Sequence, residues 1–269
     1  MKALTPRTFA FPLGTSLALT LLLTPLAAQA QTDTSPEGQT IGQQRLASRP
    51  APPGLQHWSF TVAGQYTNRQ GETAGALPSL DIGYSVTPNL LIHLYQPYAF
   101  DRLSGGKTNF GPGDTEIGVR YRFIEPDDNG WRPGVVFYPL VDFPTGDRER
   151  GLGTGRTHFF LPLWLGKQLG AWTVYGGGGY WYNRGNGYKD WFFADAGVQY
   201  RVTDNLRFGP DVFHATSSKT GLKETTGVNV GGVYDFNANH HVLFSAGRGI
   251  QNTEETNRFS AYLGYQLTF

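Results

Sequence analysis

From Trp58 onward polar and apolar residues alternate one for one. Within 113–125, Thr115, Ile117, Val119, Tyr121 and Phe123 share one face, and Asp114, Glu116, Gly118, Arg120 and Arg122 share the other. Successive side chains of a strand point to opposite faces, so a period of two marks a strand and no helix produces it. The alternation recurs in 257–269, where Phe259, Ala261, Leu263, Tyr265, Leu267 and Phe269 oppose Arg258, Ser260, Tyr262, Gly264, Gln266 and Thr268. Segments 226–237 and 77–87 repeat it. Twelve segments are predicted, at about 58–68, 77–87, 90–100, 113–125, 132–144, 157–167, 171–182, 190–202, 206–215, 226–237, 241–248 and 257–269. One alternating strand also suits a soluble half-buried sheet. Twelve in succession, each as long as a tilted bilayer-crossing strand, predict an all-β chain: a transmembrane antiparallel β-barrel of about 12 strands.

The links between segments alternate in length. Those after the even-numbered segments are short, as at Pro88-Asn89, Gln168-Leu169-Gly170 and Thr203-Asp204-Asn205. Those after odd-numbered segments are mostly longer and rich in Gly and charge, as at 101–112 and 145–156. Short turns on one side and long loops on the other are the layout of an outer-membrane barrel, with the short side periplasmic. Trp58, Tyr84, Phe123, Tyr200, Phe208, Phe236 and Phe269 fall at the short-turn ends in the apolar phase. Tyr66, Phe143, Tyr182 and Phe192 fall near the other end. Two such girdles of rings are expected at the headgroup levels. The alternative, a soluble sandwich or lipocalin-like barrel, would put Asp81, Asp114, Glu116, Arg120, Arg122, Asp142, Asp195 and Arg201 in a dry core. A wetted lumen accepts them.

The first thirty residues read as an address. Lys2 and Arg7 precede a short apolar core, 17–23, and Ala28-Gln29-Ala30 is a small-residue cleavage site, so 1–30 is read as a secretory signal peptide cleaved near Ala30. Segment 31–56 is polar, carries Pro36, Pro50, Pro52 and Pro53, and reads as a flexible periplasmic leader ahead of a barrel at 57–269. That places the chain in a Gram-negative outer membrane, with its lipids as partners. Composition agrees. Gly numbers 36, aromatics make up 14%, and charged residues only 16%. With a net charge of +1 there is no basic surface for nucleic acid, and with no Cys there is no disulfide framework, thiolate nucleophile or Cys-based zinc site.

Two stretches carry a family resemblance. Gly111-Pro112-Gly113-Asp114-Thr115-Glu116-Ile117-Gly118-Val119-Arg120-Tyr121-Arg122-Phe123 resembles the G-x-G-D strand of the MetA-pathway of phenol degradation outer-membrane proteins. Phe143-Pro144-Thr145-Gly146-Asp147 resembles their P-T-G-D turn, one strand later. The resemblance implies a channel admitting hydrophobic or aromatic solutes and carries no established binding residues. The terminal Phe269, closing an alternating strand, resembles the ending that the barrel assembly machinery reads in outer-membrane proteins generally.

Other chemistry is thin, and neither a cofactor nor a metal site is expected. Ser104-Gly105-Gly106-Lys107-Thr108 ends like a phosphate loop, but the required earlier Gly is Asp101 and no helix follows. Gly151-Leu152-Gly153-Thr154-Gly155 reads as a flexible loop. His240-His241 reads as solvated turn histidines. Against an esterase, His214 with Ser217 or Ser218 lacks an evident orienting partner. A structural or adhesive barrel is the other alternative. In the lumen, Asp114, Glu116, Arg120, Arg122, Asp195 and Arg201 are the candidate charges; seven acids and five bases are read as facing in and nearly cancel, so strong ion selectivity is not expected. Trp181 and Trp191 flank 183–189 and are read as a platform of rings at the mouth, with Glu116 and Arg120, on the same wall as Arg122, as a constriction below. Space-filling is the plainer reading of the same rings.

Overall fold

The computed structural model describes residues 58–103, 105–127, 129–185 and 187–269. The signal peptide and leader assignments lie outside these residues. Fourteen strand stretches follow in order: β1 (Trp58–Arg69), β2 (Glu72–Thr87), β3 (Leu90–Leu103), β4 (Asn109–Pro112), β5 (Thr115–Ile124), β6 (Gly134–Phe137), β7 (Leu140–Phe143), β8 (His158–Leu169), β9 (Trp172–Tyr182), β10 (Trp191–Arg201), β11 (Leu206–Ala215), β12 (Thr225–Asp235), β13 (His240–Gln251) and β14 (Phe259–Thr268). One four-residue helix, α1 (Thr253–Thr256), sits between the last two.

These stretches form twelve antiparallel staves. β4 and β5 both pair with β3 and make one stave broken at Gly113-Asp114. β6 and β7 both lie between β5 and β8 and make another, broken at Tyr138-Pro139. Proline has no N–H to give the ladder, which accounts for the second break. The barrel closes where β1 pairs with β14, from Ser59↔Thr268 to Asn68↔Phe259. Trp58 N donates to Phe269 O at 2.8 Å and Phe269 N to Trp58 O at 3.0 Å, so the seam has no open edge.

The twelve predicted segments are the twelve staves. The largest boundary difference is in β2, which starts at Glu72 and not near 77. Pro78 is the reason. The register slips between Ala76 and Ser79 against both neighbours, so the alternation changes phase there and its first half does not read as continuous. The link between β1 and β2 is thereby only Gln70-Gly71, with Gly71 at φ 77°. It is a tight hairpin on the side where long loops prevail.

The two faces have the polarity of a membrane barrel. Large apolar side chains on the outside are open: Leu263 is 62% exposed, Val230 51% and Ile117 39%. Exposed bands of this kind are tolerated against lipid and not against water. Inside, Gln65, Asp142, Asp195, Asp211, Asn229 and Ser245 are buried, together with a cluster of rings on β8 to β11 and Tyr138. Trp58, Tyr84, Phe123, Tyr200, Phe236 and Phe269 point outward at one rim; Tyr66, Phe143, Tyr182 and Phe192 do so at the other.

Candidate functional site

The bulkiest aromatic side chains gather on the stretch of lumen wall formed by β8 to β11. β8 sends His158, Phe160, Pro162 and Trp164 inward at every second position. Phe160 is registered opposite Trp181 on β9, and Trp181 opposite Trp191 on β10. Three bulky rings therefore meet side by side at one level, the arrangement in which cross-strand pairs interact best. They stack: Phe160 and Trp181 are 4.5 Å apart at 10°, Trp181 and Trp191 5.5 Å apart at 9°. One step deeper, Trp164, Phe193 and Phe213 continue the series at 6.3 and 6.4 Å. Trp181 is only 1% exposed and Trp191 4%, so their faces are largely given to neighbouring rings.

Glycines let these rings lie along the wall. A Cβ at Gly177 would stand 2.6 Å from Trp164 Cε3, and one at Gly179 2.7 Å from Phe160 Cε2. Each ring thus occupies the ground a side chain on the next strand would take, the covering of a strand glycine by an aromatic neighbour.

The predicted lumen charges do not form one cluster. Glu116 faces His93, with Oε1 3.1 Å from Nε2, and the other ring nitrogen lies 3.2 Å from Asp81 Oδ2. His93 was not singled out from the sequence, although it falls in the inward phase of its strand. Arg120 is buried, 8% exposed, on the wall beside these groups. Arg122 Nη1 instead pairs with Glu125 at 2.8 Å near the short-turn rim. Asp195 is buried on β10, diagonal to Asp211, which accepts a hydrogen bond from Asn229 Nδ2 at 2.7 Å. Arg201 stands exposed at the end of β10, in register with Arg207.

Asp114 has a different task. Its Oδ1 accepts from Gly146 N at 2.9 Å, and its Oδ2 accepts from Thr154 N and Thr154 Oγ1, both at 2.7 Å. Thr145 Oγ1 donates to Gly113 O at 3.1 Å and accepts from Thr115 N at 2.9 Å. Asp147 O accepts from Leu152 N at 2.8 Å and its Oδ1 from Arg150 N at 3.1 Å. The two family stretches therefore lock together. Gly113, Gly146 and Gly153 permit this closeness: a Cβ on Gly146 would lie 2.9 Å from Gly113 C, and one on Gly153 2.5 Å from Asp114 Oδ1. Gly111 similarly leaves room for Leu152, whose Cδ1 would be 2.9 Å from an added Cβ. Pro144 follows β7 directly and is exposed. The reading of 151–155 as a flexible loop is overturned: Leu152 is 0% exposed and Thr154 5%. Sequence alone gave no sign of this, because a single Leu between glycines has no period.

One further reading changes. His240 and His241 are not simply solvated. His241 Nδ1 meets Asp235 Oδ1 at 2.7 Å, and His240 Nδ1 meets the Tyr265 hydroxyl. Ser217 Oγ bonds the carbonyls of Lys219 and Leu222, both at 2.7 Å, while His214 Nδ1 lies 2.9 Å from Thr226 Oγ1. The serine and histidine are thus occupied separately. Among the described residues no three His, Asp or Glu side chains are grouped to hold a metal ion.

A closed antiparallel barrel of twelve staves, apolar outside and lined within by polar groups and rings, defines the class: an outer-membrane-type β-barrel. Within it, this chain belongs to the MetA-pathway of phenol degradation family, whose sequence pattern matches residues 73–269. Its fold is similar to that of an outer membrane channel from Pseudomonas putida F1, at a TM-score of 0.66 and 19% identity, covering 82% of this chain and 98% of that one. It is also similar to the KdgM porin, at a TM-score of 0.54 and 10% identity over 78% of this chain and 99% of that one. A third relative in fold is the NanC porin, at 0.52 and 11% over 78% and 98%. No curated protein sequence matches the chain.

Proposed function

We propose that the chain is a channel of the bacterial outer membrane that passes small hydrophobic or aromatic solutes. The observation that carries this reading is the run of stacked rings, Phe160, Trp181 and Trp191, continued by Trp164, Phe193 and Phe213, along one side of the lumen. Family membership and the likeness in fold to a Pseudomonas putida outer membrane channel support it. Ring contacts are worth about 0.5–1.5 kcal/mol each beyond area burial. Contacts that weak retain an aromatic solute without trapping it, and conduction needs binding of this kind. Glu116, His93 and Arg120, on β3 and β5, face the same lumen and in this reading narrow the passage.

In this reading residues 1–30 direct export, 31–56 lead into the barrel on the periplasmic side, and Phe269 presents the assembly machinery with its terminal ring. The outer apolar band contacts membrane lipid, and no catalytic step is required. Flux into liposomes carrying the refolded protein tests the reading. Faster entry of phenol or toluene than into empty liposomes is the expected result; equal rates overturn it, and steady release of fatty acid from lipid esters would point to an esterase.

A further inference from the structure

An arginine stands on the lipid side of the wall. On β13, Gly247 faces the lumen, where an added Cβ would meet the Asn229 side chain, so Arg248 points outward. Its register agrees, since it lies opposite Val228, which is 39% exposed toward lipid. Gly247 is registered opposite Ser260, which makes Phe259 the outward neighbour of Arg248 on β14. One outward step deeper, Ala246 lies opposite Val230, and both are exposed. Arg248 is itself exposed, and its Nε donates to Gly249 O at 3.4 Å. No carboxylate pairs with it among the described residues. Other cations of the loop end each have an acid: Lys223 meets Glu255 at 2.7 Å, Arg69 meets Glu72 at 2.7 Å, and Arg258 meets Glu254. The polar groups toward the loops on β11 to β13 are spent on one another. Gln251 Nε2 donates to Glu224 Oε1 at 2.9 Å, Thr226 Oγ1 donates to Gln251 Oε1 at 2.6 Å, and His214 Nδ1 lies 2.9 Å from Thr226 Oγ1.

The height of Arg248 says what it meets. Its neighbour Phe259 packs 6.2 Å from Tyr66, a ring of the loop-end girdle, and such girdles lie at the level of the lipid headgroups. A charge on the lipid face costs less there than at the midplane, and an anion beside it offsets the rest. The planar guanidinium fork suits phosphate, whose oxygens it can hold two at a time. With the long loops outside, this rim lies in the outer leaflet, which in a Gram-negative outer membrane is built of lipopolysaccharide. We infer that Arg248 receives a lipid A phosphate of lipopolysaccharide, with acyl chain lying over Ala246 and Val230 beneath it. Phospholipid offers phosphate oxygens too, but as a singly charged diester, whereas the monoester phosphates of lipid A carry more charge and attract a guanidinium more strongly. The assignment goes beyond the channel reading and is independent of what the lumen passes; it requires that the long loops face out.

The full-length protein refolded into phosphatidylcholine vesicles tests this through its urea unfolding midpoint as lipopolysaccharide is added. A ligand that binds the folded state raises the midpoint. Wild type should rise with lipopolysaccharide, and rise less with the same material stripped of its phosphates or with phosphatidylglycerol at equal concentration. Arg248→Gln should need about tenfold more lipopolysaccharide for the half-maximal rise, as the loss of one charge-assisted contact does. Arg258→Gln, whose guanidinium already has Glu254, should stay within about twofold of wild type. Arg248→Lys keeps the charge and loses the fork; it should show a smaller loss in the same direction, and it carries the comparison if Arg248→Gln fails to fold. An equal response of wild type and the Arg248 variants overturns the assignment, as does an equal rise with dephosphorylated lipopolysaccharide or no rise at all. An equal rise with phosphatidylglycerol gives the site to phospholipid and overturns the choice of lipopolysaccharide. Solute flux plays no part in the readout, so each of these failures leaves the channel reading standing.

Discussion

Asp114 shows how one residue can be legible in position and not in role. Its phase along the strand turns it inward, and charge in a lumen reads most simply as lining. Its carboxylate instead carries three hydrogen bonds from Gly146 and Thr154. Those partners lie more than thirty residues away on a loop with no hydrophobic period, so nothing local announces them. Asp114→Ala should leave these donors unmet and release the loop. Each lost partner costs about 1–3 kcal/mol, so trypsin should cleave at the exposed Arg148 and Arg150 at least about tenfold faster, with the barrel itself still folded on a heat-modifiability gel. Unchanged cleavage would mean the loop is held elsewhere. On the opposite face, Val119 is 37% exposed toward lipid. Val119→Arg should cost about 2–4 kcal/mol if it lies near the midplane, measured by urea titration in lipid vesicles. A cost close to zero would place Val119 at a rim.

At the scale of elements, alternation was enough to find every stave, because each strand has one face on lipid and one on the lumen and the two environments enforce the period. It failed where the period itself is broken. At Pro78 the phase slips and the start of β2 is hidden. At 252–258 a left-handed Asn252, at φ 50°, opens a single helical turn too short to leave a pattern. Ring stacking was legible only in part: inward phase identified Trp181 and Trp191, but their contact depends on register across three strands, which hairpin spacing constrains loosely. The topology itself can be checked on intact cells. An epitope tag inserted within 147–150 should be stained from outside, and one at 203–205 should stay hidden until the outer membrane is permeabilised. Staining of the second alone would invert the barrel.

For the whole molecule, the proposed channel assigns recognition to the rings on β8 to β11 and obstruction to Glu116 and Arg120. Trp181→Ala with Trp191→Ala should slow phenol flux about fivefold or more, the loss expected for two ring contacts, and change small-ion conductance little. Glu116→Ala with Arg120→Ala should raise single-channel conductance, since it trims the narrowed side of the passage without removing the rings. Unaltered phenol flux in the tryptophan variant would leave those rings as packing only.

The rings over Gly177 and Gly179 have a consequence for the calibre of the tube. A side chain projecting toward the axis of a barrel behaves as a hinged flap, and the bore then depends on which rotamer it visits. Trp164 and Phe160 are laid tangentially, flush with the backbone of the neighbouring strand. Their swing is blocked by the strand beneath and by the rings beside them. On that half of the wall the diameter is therefore set by strand number and tilt, quantities fixed when the barrel closes. In the channel proposed here, that half of the wall would act as a rigid gauge of solute width.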